Sequence, residues 1–292
     1  MPLHKTLLLP FLQTLTLTAF SSPNDSLFFI TDVKQFAFKE IGVEFSDFYI
    51  HWTKEEKPYI YLYVSQPDSV KKPTGFNQSY IFCGTDEANA TKQETVYKDA
   101  GYHTFCYKTY ANSSAMLNKR LLSYSKDAIA FIVFHELIHN YLGAKNIKIP
   151  YEYNEALCDV IGNYGTLAYA QYTKNIDLDS VKNQIKRNEK IYTYLNSTIS
   201  KINSNPDKTS ACNAKCQKSI YHNLKNANLF QKDRFDYTVN NAYLLKNEYY
   251  SKNYFLLKQV LMKQKSIPAL LKIMESLPEK SEDYEAYLRR FT

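Results

Sequence analysis

The chain has 292 residues, 45% of them hydrophobic, with a formal net charge of +7 at pH 7; that is enough for one sizeable core or two small lobes around a cleft. The positive charge rests on 31 lysines against five arginines. Arginine is the residue that reads base edges and clamps phosphates bidentately, so its scarcity argues against a nucleic-acid partner, and the absence of long charge blocks argues against a disordered chain.

Residues 1–25 open with a short, weakly basic stretch, Met1 to Lys5, followed by an apolar run from Thr6 to Phe20. That run is too short to span a bilayer comfortably, and Ala19-Phe-Ser21 offers a small-x-small cleavage site. The reading is a cleaved export signal, giving a periplasmic or secreted mature chain with no membrane span; the alternative is an N-terminal helix packed on the domain.

Residues 26–125 read as an α+β subdomain. A helix is expected from Asp32 to Ile41 and a strand over Tyr59-Ile-Tyr-Leu-Tyr-Val64, from its alternation and aromatic content. A second strand follows at Ser79–Cys83, a helix at Glu87–Ala100 and a third strand at Tyr102–Tyr110. If the second and third strands are neighbours, Cys83 and Cys106 can pair; Cys212 and Cys216, one helical turn apart, offer a second disulfide, in keeping with an oxidising compartment. Tyr102–Tyr110 is also a candidate edge on which an extended substrate lies.

After residue 125 the strand signal disappears. Helices are expected at 126–143, 152–172, 177–203, 209–230, 237–249, 252–263, 266–276 and 281–289, broken at Pro150, Asn205-Pro206, Pro268 and Pro278. Residues 126–292 therefore read as a helical subdomain, and the fold class is α+β, helix-rich, with a small N-terminal sheet and an all-helical C-terminal part.

The first of these helices carries Phe134-His-Glu-Leu-Ile-His-Asn140. A helix turns once per 3.6 residues, so His135 and His139, four apart, project from one face and can share one metal ion. Glu136 follows the first histidine and leans toward the same opening. This H-e-x-x-H spacing is how a zinc hydrolase holds one Zn2+ ion and the base that deprotonates the attacking water.

Two histidines do not complete such a centre. The next helix, beyond Pro150, offers Glu155 and Asp159 at i and i+4, one as third ligand and the other as the acceptor that holds the outer nitrogen of a ligating imidazole. Glu152, Cys158 and Asp159 are rivals for the third position. Glu152 is also explained as an acidic residue in a first helical turn, and Cys158 as a small hydrophobe.

The His-His-Glu arrangement resembles the gluzincins, zinc peptidases of thermolysin-like and aminopeptidase-like type, with a shorter connection that sets Glu155 sixteen positions past His139. More widely, the chain resembles a bacterial family of predicted aminopeptidases with a zincin-like core. The likeness is carried by Phe36-Ala-Phe-Lys-Glu-Ile-Gly-Val43, Ala100-Gly-Tyr-His-Thr-Phe-Cys-Tyr-Lys-Thr-Tyr110, Arg120-Leu-Leu-Ser-Tyr124, Asn154-Glu155 and Asn240-Asn-Ala-Tyr-Leu-Leu245. It covers residues 32–275 and is tightest between 100 and 160. His139-Asn140 and Leu157-Cys158 depart from its usual residues, and the Gly-x-Met-Glu-Asn strand of the large aminopeptidases is missing.

The resemblance implies peptide or protein substrates, Glu136 as general base, and a zinc site of His135, His139 and Glu155. An oxyanion donor is also wanted; Tyr243, in the matched Asn-Asn-Ala segment, is the first candidate, followed by Tyr110 and His222. The contrasting class is a peptide- or protein-binding chain that keeps a zincin scaffold without turnover. An intact Glu136 counts against it, because a purely structural metal site has no need of that carboxylate.

Overall fold

A computed structural model of the chain describes residues 23–44, 57–76, 80–111, 117–204, 214–226, 239–278 and 283–292. The expected export signal, apart from its last residues, and the Cys212–Cys216 pairing lie outside the described residues. Among the described residues the chain is helix-rich with one small antiparallel sheet, as the fold class requires. No described helix is long and apolar enough to cross a membrane.

The described residues form two compact units. Lys57–Tyr110 with Arg187–Glu248 make the first, and residues 23–44 with Ala111–Lys186 and Tyr249–Thr292 make the second.

In the first unit, β1 (Tyr59–Ser65) is the middle strand between β2 (Tyr80–Phe82) and β3 (His103–Thr109). The register sets Leu62 opposite both Ile81 and Cys106, and Tyr61 opposite both Phe82 and Tyr107. Side chains alternate across a strand, so Ile60, Leu62 and Val64 share one face, where they pack with Cys83 and with Ala90 of α2 (Glu87–Asp99). Asp86 starts α2 by accepting from the backbone N–H groups of Ala88 and Asn89.

The strand order overturns the expected Cys83–Cys106 disulfide, and both thiols are free. β1 lies between the strands that lead to these two cysteines, and two strand spacings of about 4.8 Å exceed the reach of about 7 Å between bridged Cα atoms.

Helix α6 (Leu178–Asn203) ends in this unit, where the Asn203 side chain accepts from the N–H of Val70. α7 spans Ala214–Asn226. α8 (Asn241–Ser251) is tied to the sheet at its start: Asn240 donates to the carbonyl of Thr104, and Asn241 to those of Gln66 and Pro67.

The second unit is built around α4 (Lys126–Ala144) and α5 (Tyr151–Tyr172). Ile129, Ala130, Ile132, Val133, Phe134, Leu137 and Ile138 are buried together with His135 and Glu136, so the middle of α4 is enclosed nearly all round, the mark of a central core helix. α1 (Pro23–Phe36) packs on it, with Phe36 edge-on to Phe134 and to Tyr169. α1 begins nine residues before the expected Asp32, because Pro23 and Asp25 are helix-start residues in their own right. Its end widens into a π turn, Ala37–Ile41, closed by Gly42 at φ 75°, a left-handed cap that glycine adopts at least cost.

A short turn of helix, α3 (Lys119–Leu122), precedes α4 and is capped by Asn118. It falls in the segment expected only to join strand and helix. α9 (Tyr254–Gln264), α10 (Ile267–Glu275) and α11 (Tyr284–Arg289) complete the unit. α9 is fastened to α5 by Asn163 donating to the Tyr254 hydroxyl and by Asn253 donating to the carbonyl of Glu152.

Candidate metal centre

α4 and α5 run antiparallel, joined by residues 145–150. The closure is local: the N–H of Ile147 returns to the carbonyl of Leu142, and Asn146 takes a left-handed φ of 53°. Pro150 then precedes α5, its carbonyl accepting from Tyr153 and Asn154.

Two glycines let the helices approach. A Cβ on Gly162 would fall 2.8 Å from the ring of Phe131, and one on Gly165 would fall 2.9 Å from that of Phe134. Gly162 lies at i+7 from Glu155 and i+3 from Asp159, so the close approach and the two carboxylates share one face of α5. Phe131 on α4 is likewise one helical turn before His135, and their rings are in contact at 5.9 Å between centroids.

One turn along from this glycine contact the polar groups meet. Nε2 of His135 and Nε2 of His139 are 3.1 Å apart. The Glu155 carboxylate reaches both, with Oε2 3.5 Å from His135 Nε2 and Oε1 3.6 Å from His139 Nε2. Behind His135, Oδ1 of Asp159 is 2.9 Å from Nδ1, in an ion-pair contact that is off-line for a straight N–H···O bond. Behind His139, the sulfur of Cys158 is 3.5 Å from Nδ1 and donates to Oδ1 of Asn154.

Burial is nearly complete. Glu136, Glu155, Cys158 and Asp159 are all buried, while the side chain of His139 keeps 20% of its exposure against 10% for His135. His139 is therefore the more exposed of the two imidazoles. Two tyrosines that sequence reasoning did not single out complete the wall of the centre: Tyr151 hydrogen-bonds Glu155, and Tyr250 lies nearly parallel to the His135 ring. Among 26 tyrosines neither carries a local signal that would have marked it.

The electrostatics of the cluster follow from burial set against charge. Burial opposes a charged His135, but Asp159 and Glu155 outweigh it and raise the imidazole to about 10. Burial also lifts the Glu155 carboxyl, yet the imidazoles of His139 and His135, with the Tyr151 hydroxyl, hold it at about 2. For Glu136 burial wins and the carboxyl is raised. The Cys158 thiol is pushed well above its usual range, by burial first and then by Glu155, Glu136 and Asp159. A cluster that keeps a proton on His135 between two carboxylates is one that calls for positive charge.

The donor set suits a divalent cation. The ligand atoms of His135, His139 and Cys158 all lie within 4.8 Å of one another, a group able to hold a metal ion. The separations from Nε2 to Nε2 and from each Nε2 to Glu155 are tighter. Bonds of about 2.0–2.1 Å around a tetrahedral ion place neighbouring ligand atoms about 3.3 Å apart, and 3.1, 3.5 and 3.6 Å bracket that value.

Of the residues expected at the site, His135, Glu136, His139, Glu155 and Asp159 belong to this cluster. The backbone carbonyl of Glu152 accepts from Asn253 at the start of α9. Tyr243 belongs to the first unit, buried with its ring edge-on to Phe105 at 5.2 Å, the packing of a core tyrosine. Tyr110 is buried as well. Comparison of the chain with protein-family models, with curated proteins and with solved structures gives no match in any of the three.

Proposed function

We propose that the chain is a zinc-dependent peptide hydrolase of gluzincin type. The supporting observation is the meeting of three donors, Nε2 of His135, Nε2 of His139 and the Glu155 carboxylate, within 3.1–3.6 Å of one another, with the carboxyl group of Glu136 buried close enough to interact with all three.

In this reading His135, His139 and Glu155 hold one zinc ion. Bound there, zinc supplies Lewis acidity toward a peptide carbonyl and lowers the pKa of water toward about 7. Asp159 fixes the His135 ring by holding Nδ1, so that Nε2 points inward. Glu136 takes a proton on its carboxylate from the attacking water and delivers it to the leaving amine. Burial favours this second step, because a raised carboxyl holds and releases a proton closer to neutral pH. In this reading substrate approaches from the side of His139, the more exposed imidazole. Aminopeptidase specificity rests on the sequence resemblance.

Metal analysis of the purified chain together with the Glu136→Gln variant tests the proposal. The expected result is one zinc per chain in both proteins and peptide cleavage in the wild type alone. Equal behaviour of the two toward a peptide library overturns it.

One observation favours a second reading. The His135, His139 and Cys158 grouping is a softer set that suits a structural metal in a non-catalytic binding protein. In that case Glu136→Gln changes nothing, while loss of Cys158 abolishes metal uptake.

A further inference from the structure

The two imidazoles of the centre are backed by unlike groups. Nδ1 of His135 faces the Asp159 carboxylate at 2.9 Å, whereas Nδ1 of His139 faces the Cys158 sulfur at 3.5 Å. That sulfur is itself anchored, donating to Oδ1 of Asn154 at 3.5 Å, one turn earlier on the same helix. Cys158 has no exposed surface at all.

We propose that Cys158 is a positioning residue for His139: its sulfur accepts the Nδ1–H of His139 while its S–H is held by Asn154, so the ring keeps the tautomer that leaves Nε2 as a metal donor. The inference rests on the metal-centre reading above and gives Cys158 a role that is neither ligand nor simple core packing.

Three observations carry it. The inner nitrogen of His139 is already defined: Nε2 faces His135 Nε2 at 3.1 Å and Glu155 at 3.6 Å, and only Nδ1 is left for sulfur. A metal bridging Cys158 and Nδ1 of His139 would forgo the nitrogen that faces the other donors. Second, a ligating histidine needs its outer nitrogen held by an acceptor, and sulfur with lone pairs to offer stands there at a normal N–H···S distance.

Third, the charge of the cluster leaves no room for another anion. Glu136, Glu155 and Asp159 are three buried carboxyl groups, already more than the two charges of a divalent ion can match. A carboxylate behind His139 would add an uncompensated buried charge. A neutral thiol holds the ring without one. The two ligands consequently differ in strength: His135, backed by a carboxylate, is the more basic donor, and His139, backed by sulfur, the weaker one.

Cobalt(II) titration of the full chain, read by absorbance and by competition with a chelator, tests this with the wild type, Cys158→Ala and Cys158→Ser. The wild-type complex is expected to show no thiolate-to-cobalt charge-transfer band. Cys158→Ala should bind cobalt about 10- to 100-fold more weakly, and Cys158→Ser, which restores an acceptor and a donor at the same place, should recover most of that loss.

A thiolate band in the wild type makes Cys158 a ligand and overturns the proposal. So does an affinity in Cys158→Ala equal to that of the wild type. If Cys158→Ala fails to fold by circular dichroism, the wild-type band and the affinity of Cys158→Ser still decide. A wild-type chain that takes up no cobalt overturns the metal centre itself, a result distinct from cobalt binding that ignores Cys158.

Discussion

Oδ1 of Asp159 lies 2.9 Å from Nδ1 of His135, and both side chains are buried where α4 and α5 meet. A carboxylate placed behind an imidazole raises its basicity and fixes the direction in which its other nitrogen points. Asp159→Asn keeps the shape and removes the charge. Zinc affinity should fall by about 10- to 100-fold with the far-ultraviolet circular dichroism unchanged. Chelator competition measures it, and an unaltered affinity would make Asp159 a bystander.

The metal-free and metal-loaded proteins should part company with pH. In the metal-free cluster His135 is raised to about 10 from its ordinary 6.5, so the stability it contributes is complete below pH 6.5 and is lost as pH rises toward 10. Glu155 is held at about 2 against an ordinary 4.5, so its contribution is complete above pH 4.5 and disappears as pH falls toward 2. A ligating His135 is neutral, and zinc should therefore abolish the loss on the alkaline side. Thermal melts between pH 6 and 10, with and without zinc, read this directly; parallel curves would contradict it.

The glycines of α5 are not equivalent. At Gly162 an added methyl meets the outer edge of the Phe131 ring, whereas at Gly165 it meets Phe134 at 2.9 Å from both the attachment carbon and its neighbour. Phe134 is buried and cannot swing away. Overpacking costs about 1–3 kcal/mol, and helix propensity returns about 1 kcal/mol on replacing glycine by alanine. Gly165→Ala should thus be a net loss of up to about 2 kcal/mol, and Gly162→Ala close to neutral. Urea denaturation of the two variants checks the order; the reverse order would refute this account of the helix contact.

Tyr243→Phe separates an oxyanion donor from a packing residue. Loss of such a donor costs about 100- to 1,000-fold in kcat and leaves folding intact. Given that its ring packs edge-on to Phe105, a contact phenylalanine keeps, the expected result is unchanged turnover. A large fall in kcat at unchanged stability would establish the donor role.

What the sequence makes legible here is what depends on near neighbours. The i, i+4 spacing of His135 with His139 and of Glu155 with Asp159 is a property of a single helix, and Pro150 separates the two helices that carry them, so most of the cluster can be read from spacing alone. The helices were legible for the same reason, to within a few residues at most ends. Strand order is not local, which is why Cys83 and Cys106 were paired across what proves to be an intervening strand. The place of Cys158 was hidden differently: a cysteine three residues past Glu155 reads equally as ligand or filler, and only the position of His139 Nδ1 distinguishes a third role. Tyr151 and Tyr250 could not be told from the other tyrosines without coordinates.

All five members of the cluster, with Cys158, fall between His135 and Asp159, on two helices joined by a six-residue connection, residues 145–150. Closing so short a loop costs little entropy, whereas the pairing of Tyr59 with Thr109 spans fifty residues of chain. A cluster able to hold a metal ion is therefore assembled by a local closure, independent in sequence of the distant pairing that builds the sheet.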